Sequence, residues 1–154
     1  MPELPEVETV CIALSKVVIN SKVKKIKILR KDLRWNIREN IKEDLEHDIL
    51  KKPFRRGKYI LIPTSKENIL LLHLGMSGQI RIKSNNNNLF KHDHLIIIIE
   101  TTENKDYSIT YNDPRRFGYI DFFNIKEIES HFLLKKLGVE PLSKEFTIDY
   151  LQKK

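Results

Sequence analysis

From Ile49 onward the chain breaks into short runs rich in β-branched and aromatic residues, each closed by turn formers. The runs fall at residues 59–63, 69–74, 79–83, 94–101, 107–111 and 119–123. Between them lie Arg56-Gly57, the Gly-bounded stretch 75–78, four consecutive asparagines at 85–88, the polar stretch 103–106 and Asp113-Pro114. Many short strands at this spacing restrict the fold to a β-sandwich or barrel.

The rest of the chain is organised differently. Val7, Val10, Cys11, Leu14, Val17 and Val18 repeat at helical spacing, which predicts an amphipathic helix over about 5–18. Val23, Ile26 and Ile28 then read as a strand, and residues 37–46 are ambiguous, with a short helix as one option. Residues 126–137 read as a second helix, with Gly138 as its C-terminal cap and Pro141 after the stop. Phe146, Tyr150 and Leu151 look like the opening of a further helix within 143–154, so the chain reads either as part of a larger protein or as ending in a frayed tail.

At 154 residues the chain suffices for one domain with a real core. It is 40% hydrophobic and 32% charged, has no apolar run of membrane-spanning length, and lacks the basic-then-apolar start of a secretory signal. A membrane partner is therefore not expected. A lone cysteine, Cys11, makes neither an internal disulfide nor a cysteine-rich zinc site, and it is expected on the buried face of the first helix. The net charge of +7 suits a polyanion, with phosphates first. Charge alone is weak evidence, because Lys, Ile and Asn are abundant throughout.

Chemistry enters at the N-terminus, Met1-Pro2-Glu3-Leu4-Pro5-Glu6-Val7-Glu8-Thr9. If Met1 is removed, the α-nitrogen of Pro2 is a secondary amine next to the Glu3 carboxylate. An α-amino group titrates near pH ~8 rather than the ~10.4 of lysine, so a useful fraction is neutral and nucleophilic. Such an amine attacks a sugar or carbonyl carbon and forms a Schiff base. The same residues also suit a plain helix start, with Pro5 in the first turn and Glu6 and Glu8 at its positive end.

Three internal clusters bear on this choice. Phe54-Arg55-Arg56-Gly57-Lys58-Tyr59 places three cations at a strand start, suited to a phosphate grip or to a solvated edge strand. His73-Leu74-Gly75-Met76-Ser77-Gly78 sets a methionine between glycines on a tight turn. There it either wedges between stacked bases or folds back into the core. Asn112-Asp113-Pro114-Arg115-Arg116-Phe117-Gly118 holds two arginines and a phenylalanine, suited to phosphate, base edge and base stack, or else is an ordinary Asp-Pro turn. Lys91-His92-Asp93-His94 contains metal-ligand types, but no further cluster completes a site, which leaves phosphate contact or a plain strand start. Together the clusters describe a nucleophile, an acid, a phosphate-gripping lysine and probes that enter a duplex to evert a nucleotide.

These segments, in this order and followed by Leu137-Gly138-Val139-Glu140-Pro141-Leu142, resemble the N-terminal catalytic domain of the Fpg/Nei family of base-excision-repair DNA glycosylases. The leucine of Pro2-Glu3-Leu4-Pro5 favours the Fpg (formamidopyrimidine) branch. The resemblance covers essentially the whole chain. It implies an α+β, mainly β fold: a two-sheet β-sandwich over residues 1–142, flanked by an N-terminal and a C-terminal helix. It implies a bifunctional glycosylase and AP lyase that removes oxidised purines (formamidopyrimidine, 8-oxoguanine) through a proline Schiff base with β- and δ-elimination. By resemblance Pro2 attacks the sugar, Glu3 is acid/base, Glu6 a helper, and Lys58 donates a proton in β-elimination. Met76, Arg115 and Phe117 enter the duplex, while His73, His92 and Arg116 touch its backbone.

The implied partner is damaged double-stranded DNA, the implied state a monomer, and the implied location a bacterial cytoplasm at the nucleoid, with an organelle as the other option. Family members continue into a helix–two-turn–helix module and usually a zinc finger, to which 143–154 would lead, so no cofactor is expected within this chain. Two other readings stand beside the enzyme: a non-catalytic DNA-binding remnant, and a β-sandwich that mediates protein contacts. The presence of Pro2, Glu3 and Lys58 together argues against the last.

Overall fold

A computed structural model of the chain describes residues 3–30, 33, 37–84, 89–131 and 134. Pro2, the asparagine run 85–88, the Gly138 cap and the expected boundary at 142/143 lie outside the described residues. The elements run α1 (Leu4–Val18), β1 (Lys22–Ile28), α2 (Ile41–Leu45), β2 (Phe54–Arg56), β3 (Tyr59–Pro63), β4 (Asn68–His73), β5 (Gln79–Ser84), β6 (Asp93–Glu100), β7 (Asp106–Asn112) and β8 (Tyr119–Asn124). They form two four-stranded sheets with orders β1-β6-β7-β5 and β2-β3-β4-β8, and every pairing is antiparallel. The fold is therefore the two-sheet sandwich rather than the barrel.

The core lies between the sheets. Ile60, Ile62, Leu70, Leu72, Ile120 and Phe122 face Leu95, Ile97, Ile99, Ile109 and Tyr111. Helix α1 adds Val7, Cys11, Leu14 and Val18, one buried stripe at helical spacing, as the periodicity predicts. Fully burying an aliphatic side chain of this size is worth roughly 1.5–3 kcal/mol, so this stripe fixes the helix to the sandwich. Burial also pushes the Cys11 thiol up to about 11, which leaves it a packing residue and not a nucleophile.

Strands β3, β4 and β8 read as continuous apolar runs because the β2-β3-β4-β8 sheet is covered on both faces. Its outer face carries a second cluster: Leu61, Ile69, Leu71, Tyr119, Phe123, Ile125, Ile128 and Leu134. Here one expectation is corrected. The start of the helix expected at 126–137 is a single 3-10 turn (Ile125–Glu127) followed by a turn, while 132, 133 and 135–137 lie outside the described residues. Asn124 accepts from the Lys126 N–H and Glu127 accepts from the Asn124 N–H, closing the turn tightly. Ile125 and Ile128 are three apart, and that spacing buries both in a 3-10 turn as well as in an α-helix.

The register decides where function can sit. Tyr59 pairs with His73 and His73 with Tyr119 in one sheet; Gln79 and Asp93 both pair with Asn112 in the other. The β2–β3, β4–β5 and β7–β8 connections and the entry to β6 therefore gather at one end of the sandwich.

Candidate functional site

The first part of the site is built where α1 meets the β2–β3 turn. Glu3 precedes the helix with extended backbone, and Glu6 reaches back to accept its N–H at 3.4 Å. Arg55 clamps the two pieces together: its Nε donates to Glu8 Oε2 at 2.7 Å and its Nη1 to the Gly57 carbonyl at 2.8 Å. Gly57 turns with φ of 58°. This delivers Lys58, whose Nζ lies 3.6 Å from Glu3 Oε2. The expected acid and the expected lysine, 55 positions apart in sequence (58 minus 3), thus meet in space. Of the three cations in that segment only Lys58 reaches Glu3. Arg55 is committed to the clamp and Arg56 is buried; of the two readings of this segment the edge strand forms, as β2, and a grip by all three cations does not.

The second part is a pair of loops fastened to each other. Met76 and Phe117 are 44% and 47% exposed, unusual for large apolar side chains, so neither folds back into the core. Arg115 is exposed too, its guanidinium 5.7 Å from the centre of the Phe117 ring. Gly75 (φ 62°) brings the first loop so close to the second that a Cβ there would lie 2.6 Å from the Phe117 and Gly118 backbone. Ser77 Oγ donates to Asp113 Oδ1 at 2.7 Å and accepts from the Arg115 N–H at 3.1 Å. Asp113 also accepts from the N–H groups of Arg116 and Gly118, at 3.1 and 2.7 Å. Tyr111 crosses between the sheets and donates to the His73 carbonyl at 2.6 Å. Burial, and then the Asp113 charge, push its phenol far up, so it remains a protonated donor.

His73 is half-buried, its ring centre 4.7 Å from that of Tyr59, and its Nδ1 accepts from the Gly75 N–H at 3.2 Å. His92 is half-exposed in the turn before β6 (φ 72°), its carbonyl taking the Asp113 N–H at 3.0 Å. Arg116 is likewise half-exposed, with φ of 57°. The cluster around His92 does not assemble as metal ligands. Asp93 is taken by both Arg81 nitrogens, at 2.9 and 2.8 Å, and His94 is buried with Nε2 2.7 Å from the Asp113 carbonyl. Among the described residues no three His, Cys, Asp or Glu side chains gather to hold a metal.

An open groove of about 500 Å³ runs between Glu6 and Val10 of α1 and Leu74, Met76 and Ile80 beyond β4. It joins the acidic end of the helix to the loop that carries Met76.

The model for the formamidopyrimidine-DNA glycosylase N-terminal domain matches residues 1–120. The chain belongs to this family. It is 44% identical over 160 residues to the formamidopyrimidine-DNA glycosylase of Bartonella quintana, covering 99% of this chain and 55% of that protein. With the enzyme of Zymomonas mobilis the identity is 39% over 154 residues, again 55% of the relative. The chain thus spans about half the length of the curated relatives it matches. Among solved structures, the Lactococcus lactis Fpg bound to FAPY-dG-containing DNA superposes with a TM-score of 0.76 at 30% identity, over 87% of this chain and 49% of that one. A MutM complex with carbocyclic 8-oxo-G DNA gives 0.77 at 31% identity, over 88% and 49%.

Within this Fpg-family chain, sequence reasoning missed the residues that hold the site together: Asp113, Ser77, Tyr111 and the Arg55–Glu8 clamp. One signal was present. An Asp before Pro is a turn residue whose carboxylate characteristically accepts backbone N–H groups just downstream.

Proposed function

We propose that this chain is the catalytic half of a base-excision-repair DNA glycosylase and AP lyase acting on oxidised purines in duplex DNA. The observation that carries this reading is the meeting of Glu3 and Lys58 one peptide bond from Pro2. An ion pair with Glu3 66% exposed contributes about 0–1 kcal/mol at most, so stability does not account for it. Chemistry does. With Met1 removed, the Pro2 nitrogen attacks C1′ of the damaged nucleotide; the N–C1′ bond forms and the bond to the base breaks. Glu3 protonates the ring oxygen, the sugar opens, and an iminium links protein and DNA. A C2′ proton is then lost to water and the C3′–O bond breaks, expelling the 3′-phosphate with Lys58 as proton donor; δ-elimination then breaks the C5′–O bond with a second proton passing to water.

Met76, Arg115 and Phe117 suit entry into the duplex, offsetting the few kcal/mol of base extrusion. His73, His92 and Arg116 stand beside them for backbone contact. The groove beside Glu6 falls within the roughly 300–1,000 Å³ of small-molecule sites and is the place for the everted nucleotide. The oxidised-purine assignment leans on the relatives' name and on the FAPY-dG and 8-oxo-G DNA in the solved complexes.

Borohydride trapping tests the reading. The chain, with its N-terminus verified by mass, is mixed with duplexes bearing an abasic site or an oxidised guanine. A reduced covalent adduct on both, lost when the terminal amine is acylated, is the expected result. An adduct on the abasic duplex alone assigns lesion recognition to the rest of the full-length relatives. No adduct on either rejects independent catalysis and leaves the DNA-binding remnant.

A further inference from the structure

Three segments that face the proposed DNA side converge on one buried carboxylate. Asp113 is fully buried. Its Oδ1 accepts from the Ser77 hydroxyl and the Arg116 N–H, and its Oδ2 accepts from the Gly118 N–H. Its own N–H donates to the His92 carbonyl, and its carbonyl lies 2.7 Å from His94 Nε2. One residue therefore ties together the Met76 turn, the His92 turn and the Arg115–Phe117 loop. None of its polar atoms points to solvent, and it has no part in the chemistry assigned to Pro2, Glu3 and Lys58.

We propose that Asp113 is a positioning residue that locks Met76, Arg115 and Phe117 into a single preformed wedge, so that lesion discrimination depends on a group that never touches DNA. The inference rests on the DNA-repair reading above. Its physical basis is preorganisation. Two exposed loops that moved independently would have to be ordered on binding, at a cost for each immobilised side chain. With the carboxylate in place that ordering is complete before DNA arrives. A carboxylate is needed because all three donors approach one side chain. An asparagine of the same shape keeps one acceptor oxygen and turns the other into a donor facing an N–H.

The test compares Asp113→Asn and Ser77→Ala with the unaltered chain. S77A cuts only the bridge between the loops and leaves the Asp113 turn intact, so it remains informative if D113N folds poorly. Each protein is titrated against an intact duplex and an abasic duplex, with 2-aminopurine opposite the abasic site reporting wedge entry. The expected result is a loss of about tenfold or more in preference for the abasic duplex, with a blunted fluorescence change. Affinity for intact duplex should hold for S77A, which changes no charge. Ser77→Thr, which keeps the hydroxyl, should retain the preference.

If S77A keeps the full preference and signal, the Asp113 assignment fails while the DNA reading stands. If both variants lose intact-duplex binding and melting temperature in the same proportion as the preference, Asp113 is only a structural residue. If the unaltered chain shows no preference for the abasic duplex, the functional reading fails first and the inference falls with it.

Discussion

At the scale of single residues, Glu3 and Lys58 form a pair whose stability value and chemical value come apart. Glu3 is too exposed for its 3.6 Å contact with Lys58 to hold the fold. Lys58→Ala should therefore leave the melting temperature of the chain within a few degrees, since an exposed pair is worth about 1 kcal/mol or less. The same change should slow strand scission at an abasic site by roughly 100-fold, the usual weight of a positioned proton donor. Trapping of the covalent adduct should persist in this variant, because the proposed scheme uses Lys58 only after the iminium forms. Gel analysis of scission and adduct in parallel separates the two steps. A variant that loses adduct and scission together would place Lys58 earlier in the reaction. Both residues were singled out in the sequence, Glu3 as the carboxylate beside the terminal amine and Lys58 chiefly through the family resemblance; what the fold adds is that the two side chains meet. Asp113 was not legible, because its role lies in which donors surround it, and only tertiary structure brings Ser77 to it.

At the scale of elements, the outer face of the β2-β3-β4-β8 sheet depends on a buried carboxylate of another kind. Asp121, in β8, holds the Arg38 guanidinium at 2.7 Å and His131 Nε2 at 2.7 Å, just beyond the 3-10 turn. Burial alone would raise its carboxyl. Hydrogen bonds from His131, the Phe122 N–H and Tyr119, with the Arg38 charge, outweigh burial and hold it below the usual carboxylate range. A group lowered in this way contributes stability above its unfolded value of about 3.9, and that stability is lost as pH falls through the lower folded value. Melting temperature should therefore drop steeply below about pH 4, and Asp121→Asn should flatten that limb. At neutral pH the substitution should cost about 3 kcal/mol, as expected when one partner of a buried pair is removed. Thermal melts from pH 3 to 7 check both.

The same element shows why the end of the fold was only half legible. The periodicity over 5–18 identified α1 because four buried residues repeat through four turns. Ile125 and Ile128 supply one repeat, which an α-helix and a 3-10 turn satisfy equally. Strand β2 was half legible for a related reason. The segment around Arg55 and Arg56 read as a phosphate grip or as a solvated edge strand; the edge strand is what forms, but its side chains serve the clamp and the interior instead of solvent.

At the scale of the whole molecule, the net charge of +7 has two readings. A compositional bias spreads cations over the surface, so every lysine would contribute alike to binding a polyanion. The strand register instead gathers the connections that carry Lys58, Lys91, His92, Arg115 and Arg116 at one end of the sandwich. Lys24 sits at the other end, on β1, paired with Asp106 at 3.0 Å where β7 begins. Each phosphate neutralised on duplex DNA adds about −0.9 to the slope of log affinity against log salt. If binding is confined to the connection-bearing end, Lys91→Ala should lower the magnitude of that slope by about one and weaken binding to all duplexes alike. Lys24→Ala should leave slope and affinity unchanged, although it removes the same formal charge. Titrations from low to physiological salt with the two variants decide between the readings. Equal losses would mean that the charge is diffuse and that the end of the sandwich is no interface. A loss for Lys91 alone would place the duplex across the same end where Glu3, Lys58, Met76, Arg115 and Phe117 are gathered.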